Sequence, residues 1–205
     1  MTEESDVHRA TTQYPPAEIT PAEFEVFVTS LFESAKESVT NLVIQLHERI
    51  TGVDGTYDFD GTVRYEMAGM QFLVLVEAKR HKDPIKRELV QILHSKLQSV
   101  GAHKAVMVST APYQSGALAF ALTHGIALVT VTEGRFTYET KSMEGRPSPS
   151  RDEARDWFGL PTFVGHCYSP TEPEGSVQMT VMSAEQPEYV AELLLDPPEA
   201  LTSRH

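Results

Sequence analysis

Asp60 and the triplet Glu77-Ala78-Lys79 are the residues of this chain whose types and spacing best fit a chemical task. Glu77 and Lys79 are two apart, so on a strand both side chains point to one face and Ala78 points to the other. The apolar run Phe72-Leu-Val-Leu-Val76 that precedes them is typical of a strand covered on both faces, which places a carboxylate and an ammonium at the end of a buried strand. Asp60 falls on the preceding strand, where hairpin pairing can bring it beside Glu77. Two carboxylates and a lysine suit phosphodiester hydrolysis. Magnesium takes one or two carboxylates and keeps several waters, and a bound cation lowers the pKa of a water ligand. Asp60 and Glu77 are the candidate metal ligands, with the Ala78 carbonyl as a third oxygen. The Lys79 ammonium can hold the attacking water and stabilise the charge growing at phosphorus. Asp58, two residues before Asp60, is a substitute ligand on the same reasoning. Mn²⁺ is expected to replace Mg²⁺ in such a site.

Elements must position these groups. Thr20-Pro21-Ala22-Glu23 is a capping box with proline at the first helical position, and Phe24, Phe27, Val28, Leu31 and Phe32 recur at helical spacing behind it. Leu42, Ile44 and Leu46 alternate as in a strand, Gly52-Val53-Asp54-Gly55 marks a turn, Tyr57 to Tyr65 resumes a strand, and Ala68-Gly69 turns again. Asp83-Pro84 is the expected start of a second helix, with Ile85, Leu89, Ile92, Leu93, Lys96, Leu97 and Val100 on one stripe and Gly101 as its stop. Lys96 on that stripe would bury its stem and keep its head in water. Ala105 to Val108 and Ile126 to Val131 are further strands around a helix at Ser115–His124, and Phe136 to Tyr138 is expected to add an edge strand. The alternation implies an α/β fold, a central mixed sheet flanked by helices.

The ordered series of Phe24-Glu25, Tyr57-Asp-Phe-Asp60, Val76-Glu-Ala-Lys-Arg-His81, Lys86-Arg87 with Gln91, Ser109-Thr-Ala-Pro-Tyr-Gln-Ser-Gly-Ala117 and His124-Gly-Ile-Ala-Leu128 resembles the Mrr-like restriction endonucleases of the PD-(D/E)xK superfamily. Ala78 stands where Cys is frequent in that family, and Gly61 where an apolar β-former is usual. The resemblance covers roughly residues 21–141. It implies a restriction-endonuclease-like core that cleaves DNA with Mg²⁺ in a host-defence setting. Asp60 and Glu77 would be the metal ligands, Lys79 the catalytic lysine and Glu25 the acidic residue of the first helix, with Gln91 in support. Double-strand cleavage generally uses two active sites, which makes a homodimer an expectation.

Composition qualifies this. The net charge is −12, which disfavours phosphate binding in general. Yet Lys79, Arg80, Lys82, Lys86, Arg87, Lys96 and Lys104 are opposed within their stretch only by Asp83 and Glu88. A basic face on an acidic chain is compatible with DNA, and Arg80, Lys82, Lys86 and Arg87 are the candidate phosphate contacts. No apolar run is long enough to span a membrane, the acidic start lacks a signal-peptide pattern, and Cys167 is the only cysteine. A soluble cytoplasmic protein is expected. Paired histidine ligands, a P-loop, a nucleophile elbow and a dinucleotide fingerprint are all missing.

Three segments are expected: a flexible tail over 1–20, the nuclease domain over 21–141, and an acidic, proline-rich, partly ordered extension over 142–205. Eight of the 13 prolines lie from residue 145 onward. Within the extension Val177–Met182 is a candidate strand, Tyr189–Leu195 a candidate helix, and Trp157 a packing anchor. On this division, deletion of 145–205 leaves the nuclease fold intact. Two other functions stay open: a DNA-binding module without cleavage, and an effector subunit whose extension recruits a protein partner.

Overall fold

A computed structural model describes residues 15, 17–138, 149–171 and 176–195. Residues 1–14, 16, 139–148, 172–175 and 196–205 lie outside the described residues, and with them most of the expected tail over 1–20.

Helix α1 (Pro21–Glu33) begins as its sequence dictates. The Thr20 side chain accepts from the Glu23 N–H, and the Glu23 carboxylate accepts from the Thr20 N–H. Phe24, Phe27, Val28, Leu31 and Phe32 form its buried face. A short 3₁₀ turn (Ser34–Glu37) leads into β1 (Thr40–Thr51), which pairs antiparallel with β2 (Thr56–Met67) through the Gly52–Gly55 turn. The Ala68-Gly69 turn, with φ of 51° and 78°, returns the chain into β3 (Met70–Lys79). From β3 the chain crosses through α2 (Arg87–Val100) to β4 (Lys104–Ser109), and through α3 (Ser115–His124) to β5 (Ile126–Glu133). Gly101 and Gly125 end the two crossover helices with φ of 70° and 64°, a conformation glycine adopts without steric cost. Strands β3, β4 and β5 are parallel.

The sheet does not end at β5. After a 3₁₀ turn (Gly134–Tyr138) and α4 (Arg151–Phe158), β6 (Phe163–Thr171) pairs antiparallel with β5, and β7 (Ser176–Met182) with β6. Among the described residues one seven-stranded mixed sheet results, in the order β1-β2-β3-β4-β5-β6-β7. Helix α5 (Pro187–Leu195) then closes back on the α1 side. Two cores fill the faces. Val63, Val74, Val76, Val106, Val108, Val129 and Val131 pack under α1 and α5, whereas Phe59, Leu75, Met107 and Leu128 pack under α2 and α3.

Several sequence expectations change. The described residues from 149 onward are continuous with the sheet: Phe163, Cys167, Met182, Val190 and Leu194 belong to the α1-side core. A β-carbon on Gly165 of β6 would stand 2.7 Å from Val129 Cγ1, so β6 sits tightly on β5. Phe136–Tyr138 forms the 3₁₀ turn instead of an edge strand, because β6 occupies that side of β5. Trp157 is 72% exposed and so is not buried as a packing anchor. Helix α2 starts at Arg87, later than Asp83-Pro84 suggests, because Ile85 is held in a bridge to Tyr113 and bonds the backbone at Pro112 and Gln114. Its buried stripe is Val90, Leu93 and Leu97, and Ile92 faces solvent.

Candidate active site

The end of β3 and a break in β2 build the site. The β2–β3 ladder runs from Met67↔Met70 to Gly61↔Val76 and stops there. On the other side of β2, His47 has φ 52° between the pairs Leu46↔Gly61 and Glu48↔Phe59. Alternation slips at this point. Phe59 packs in the α2-side core and Val63 in the α1-side core, although residues four apart on a regular strand share a face. Asp60 lies in the slip and leaves the ladder. Its Oδ2 accepts the Ala78 N–H at 2.7 Å, in the place of a strand partner. A strand residue's N–H and C=O point the same way, so the Ala78 carbonyl also faces the Asp60 side. The Lys79 carbonyl points away and accepts from the Thr110 N–H.

Glu77 and Lys79 project toward α2. Lys79 Nζ lies 2.8 Å from Glu77 Oε1 and 3.9 Å from Asp60 Oδ2, so one ammonium spans both carboxylates. The Glu77 side chain is 11% exposed and Asp60 43%, which leaves the pair open on the Asp60 side. Lys96 from α2 completes the cluster. Its Nζ reaches the two Glu77 oxygens at 3.3 and 3.4 Å, and it also lies against the Asp58 carbonyl and the Phe59 ring. Two carboxylates and a backbone carbonyl form a set of hard oxygen donors, and that chemistry fits a divalent cation such as Mg²⁺. Among the described residues no group of three or more acidic, histidine or cysteine side chains gathers for a metal.

The remaining candidates separate. Asp58 is exposed and paired with Arg49 through two bonds of 2.7 and 3.0 Å, which hold its carboxyl below its ordinary value. Its carboxylate is therefore engaged on β1, away from Glu77, and the substitute-ligand expectation gives way to this pair. Glu25 stands on the α1 face, 3.6 Å from His47 Nε2, and lines a cleft of about 280 Å³ with Asp60, Gly61, Val76, Ala78 and Arg80. Glu77 and Lys79 project to the opposite face, so Asp60 is the link between the cleft and the motif. Lys82 and Lys86 are exposed. Arg87 stacks on Phe120 of α3 at 5.2 Å. Gln91 is half-buried on α2, and the hydrogen bonds of Glu77 and Lys79 do not run to it. Gly61 is in ordinary contact range of Val76 and Leu46, so a small side chain there is compatible with the strand.

Lys96 is the site residue that sequence reasoning misplaced by sending its head to water. A lysine in the middle of an apolar helical stripe, on the helix that follows a Glu-x-Lys strand, was the available signal.

With that geometry in place, comparison with known proteins identifies the lineage. The restriction endonuclease family model Mrr_cat matches residues 16–133, more than half of the chain. The chain belongs to the Mrr-type restriction endonuclease family. Its matched region runs from the α1 cap through β5 and contains Asp60, Glu77 and Lys79. The seven-stranded α/β/α sheet is consistent with a restriction-endonuclease-like fold, and the domain is of nuclease type. No curated protein matches the chain. Among solved structures, the crystal structure of a protein of unknown function, AF1548, is similar at 15% identity, with a TM-score of 0.38, over 48% of this chain. The match spans 56% of that protein's length. No helix among the described residues is long and apolar enough to cross a membrane.

Proposed function

We propose that this protein is a divalent-metal-dependent DNA endonuclease, using Mg²⁺ or Mn²⁺, in restriction or related defence. The observation that carries the reading is the single Lys79 ammonium spanning Glu77 and Asp60, beside an Ala78 backbone that Asp60 itself orients. Asp60, Glu77 and the Ala78 carbonyl would hold the cation. When bound, it supplies a water of lowered pKa and neutralises charge on the phosphate. Lys79 orients the attacking water and donates to the oxygens that gain charge at phosphorus. Asp60, by accepting from the Ala78 N–H, fixes the backbone whose carbonyl would help hold the cation. Arg80, Lys82 and Lys86 stand after the end of β3 and serve with Arg87 as phosphate contacts along the duplex; Glu25 lines the α1-side cleft with Asp60 and Arg80. Two copies acting together would cut both strands.

The test separates the three roles. Asp60→Asn and Glu77→Gln each remove a carboxylate charge, so both weaken Mn²⁺ binding in a calorimetric titration and abolish plasmid cleavage. Lys79→Ala also abolishes cleavage, by about 10²–10³ or more, but metal binding persists or tightens because a cation has left the site. Cleavage by Lys79→Ala at the parental rate would refute the assignment.

A further inference from the structure

Glu77 carries more positive charge than one catalytic lysine requires. Lys79 is 2.8 Å from it, and Lys96 approaches both of its oxygens from α2 with a side chain only 17% exposed. With Asp60 included, two carboxylates face two ammonium groups, so the site is neutral before any cation arrives. A divalent cation cannot settle on Glu77 beside two ammoniums without repulsion, and one of them has to withdraw. Lys79 is tethered on the same strand and also lies near Asp60. Lys96 is the looser partner, at 3.3 and 3.4 Å, on a four-carbon stem from a separate element. Its other contacts are the Asp58 backbone carbonyl at 3.4 Å and the face of the Phe59 ring at 5.3 Å, neither of which carries a formal negative charge, and the Asp58 carboxylate that acts on it is already paired with Arg49.

Resting on the nuclease reading above, we propose that Lys96 is a DNA-phosphate-binding residue that guards Glu77 until metal and DNA arrive together. In the metal-free site its ammonium holds Glu77. With the cation on Glu77, the same ammonium turns to a nonbridging oxygen of the bound phosphodiester, which supplies the negative charge it has lost. Metal alone is then disfavoured, and metal and DNA bind with positive coupling, each strengthening the other.

The test compares the full chain with Lys96→Met and Lys96→Arg, after far-UV circular dichroism melts show each to be folded. Calorimetric titration with Mn²⁺ alone should show Lys96→Met binding about fivefold or more tighter than the parent. Fluorescence anisotropy of a labelled duplex in Ca²⁺, across a salt series, should show Lys96→Met binding more weakly. Its log–log salt slope should be shallower by about one, the signature of one lost phosphate contact, and Lys96→Arg should restore the slope. An unchanged slope, or unchanged Mn²⁺ affinity, in Lys96→Met would overturn the proposal and leave Lys96 as a structural partner of Glu77. Should Lys96→Met not fold, Lys96→Gln takes its place in both titrations. A parent protein that binds neither Mn²⁺ nor the duplex would instead overturn the nuclease reading itself.

Discussion

Leu194→Ala is the sharpest test of whether the segment after 149 is part of the domain. Leu194 lies on α5, is 3% exposed, and sits in the core under α1 with Phe32, Ala35 and Tyr65. Its carbonyl accepts the Tyr65 hydroxyl, and the substitution keeps that backbone bond, so the loss isolates side-chain packing. Truncating a buried leucine removes its transfer free energy and leaves a partly unrelaxed cavity, at about 2–5 kcal/mol. A domain stable by about 5–15 kcal/mol would lose a large share of that, and the melting temperature would fall by roughly 5–20 °C. The assay is urea unfolding followed by far-UV circular dichroism, with an unchanged m-value as the sign that stability alone has moved. Trp157→Ala is the control: that ring is 72% exposed, and its loss should cost no more than about 0.5 kcal/mol. A loss under about 1 kcal/mol for Leu194→Ala, with unfolding still cooperative, would refute the reasoning and restore a separable extension. The same logic reverses the expected tolerance of deletion. Removing 149–205 strips β6 from β5, uncovers Val129 and Val131, and leaves an apolar unpaired edge that invites aggregation.

Two further outcomes follow from charge. Changing exposed Lys82 and Lys86 together to Ala should weaken duplex binding and lower its salt slope by roughly one per lost contact; an unaltered slope would place the basic stretch away from DNA. His166 on β6 is buried beside Thr132, and burial lowers its imidazole pKa from 6.5 to about 4. The unfolded chain therefore takes up this proton first, so stability declines as pH falls from about 6.5 to about 4 and is flat in this respect below that. At about 1.4 kcal/mol per unit the window is worth about 3 kcal/mol, and His166→Gln should flatten the stability profile across it; an identical pH profile in the variant would remove His166 as a cause.

Local rules carried much of this protein. The α1 cap, its apolar stripe, the Ala68-Gly69 turn, the glycine stops of α2 and α3 and the buried β3 run each depend on residues within one or two turns of one another. Such signals survive without tertiary context, which is why Glu77 and Lys79 could be placed together on one strand face from spacing alone. Ile92 and Asp83 misled for the converse reason. Periodicity locates an apolar stripe but not its angle to the sheet, and a good cap at Asp83 does not start a helix when Ile85, two residues on, is taken by the bridge to Tyr113.

Composition misled most after residue 145. Proline and acidic residues are common in tails, yet strands at a sheet margin tolerate both, and pairing of β6 with β5 joins residues as distant as Leu128 and Tyr168. The amino-acid sequence by itself determined the Glu77/Lys79 pairing, the α1 cap and the glycine stops of α2 and α3, because those rest on short-range sterics, capping and hydrophobic period; the family was legible separately, as a resemblance carried by the ordered series of motifs. Tertiary structure alone decided that Asp60 leaves its ladder opposite His47, that Asp58 goes to Arg49, that Lys96 crosses from α2 to Glu77, and that the sheet has seven strands. Each of those outcomes depends on strand register and on which helix face meets the sheet, and both are set by burial summed over the whole core.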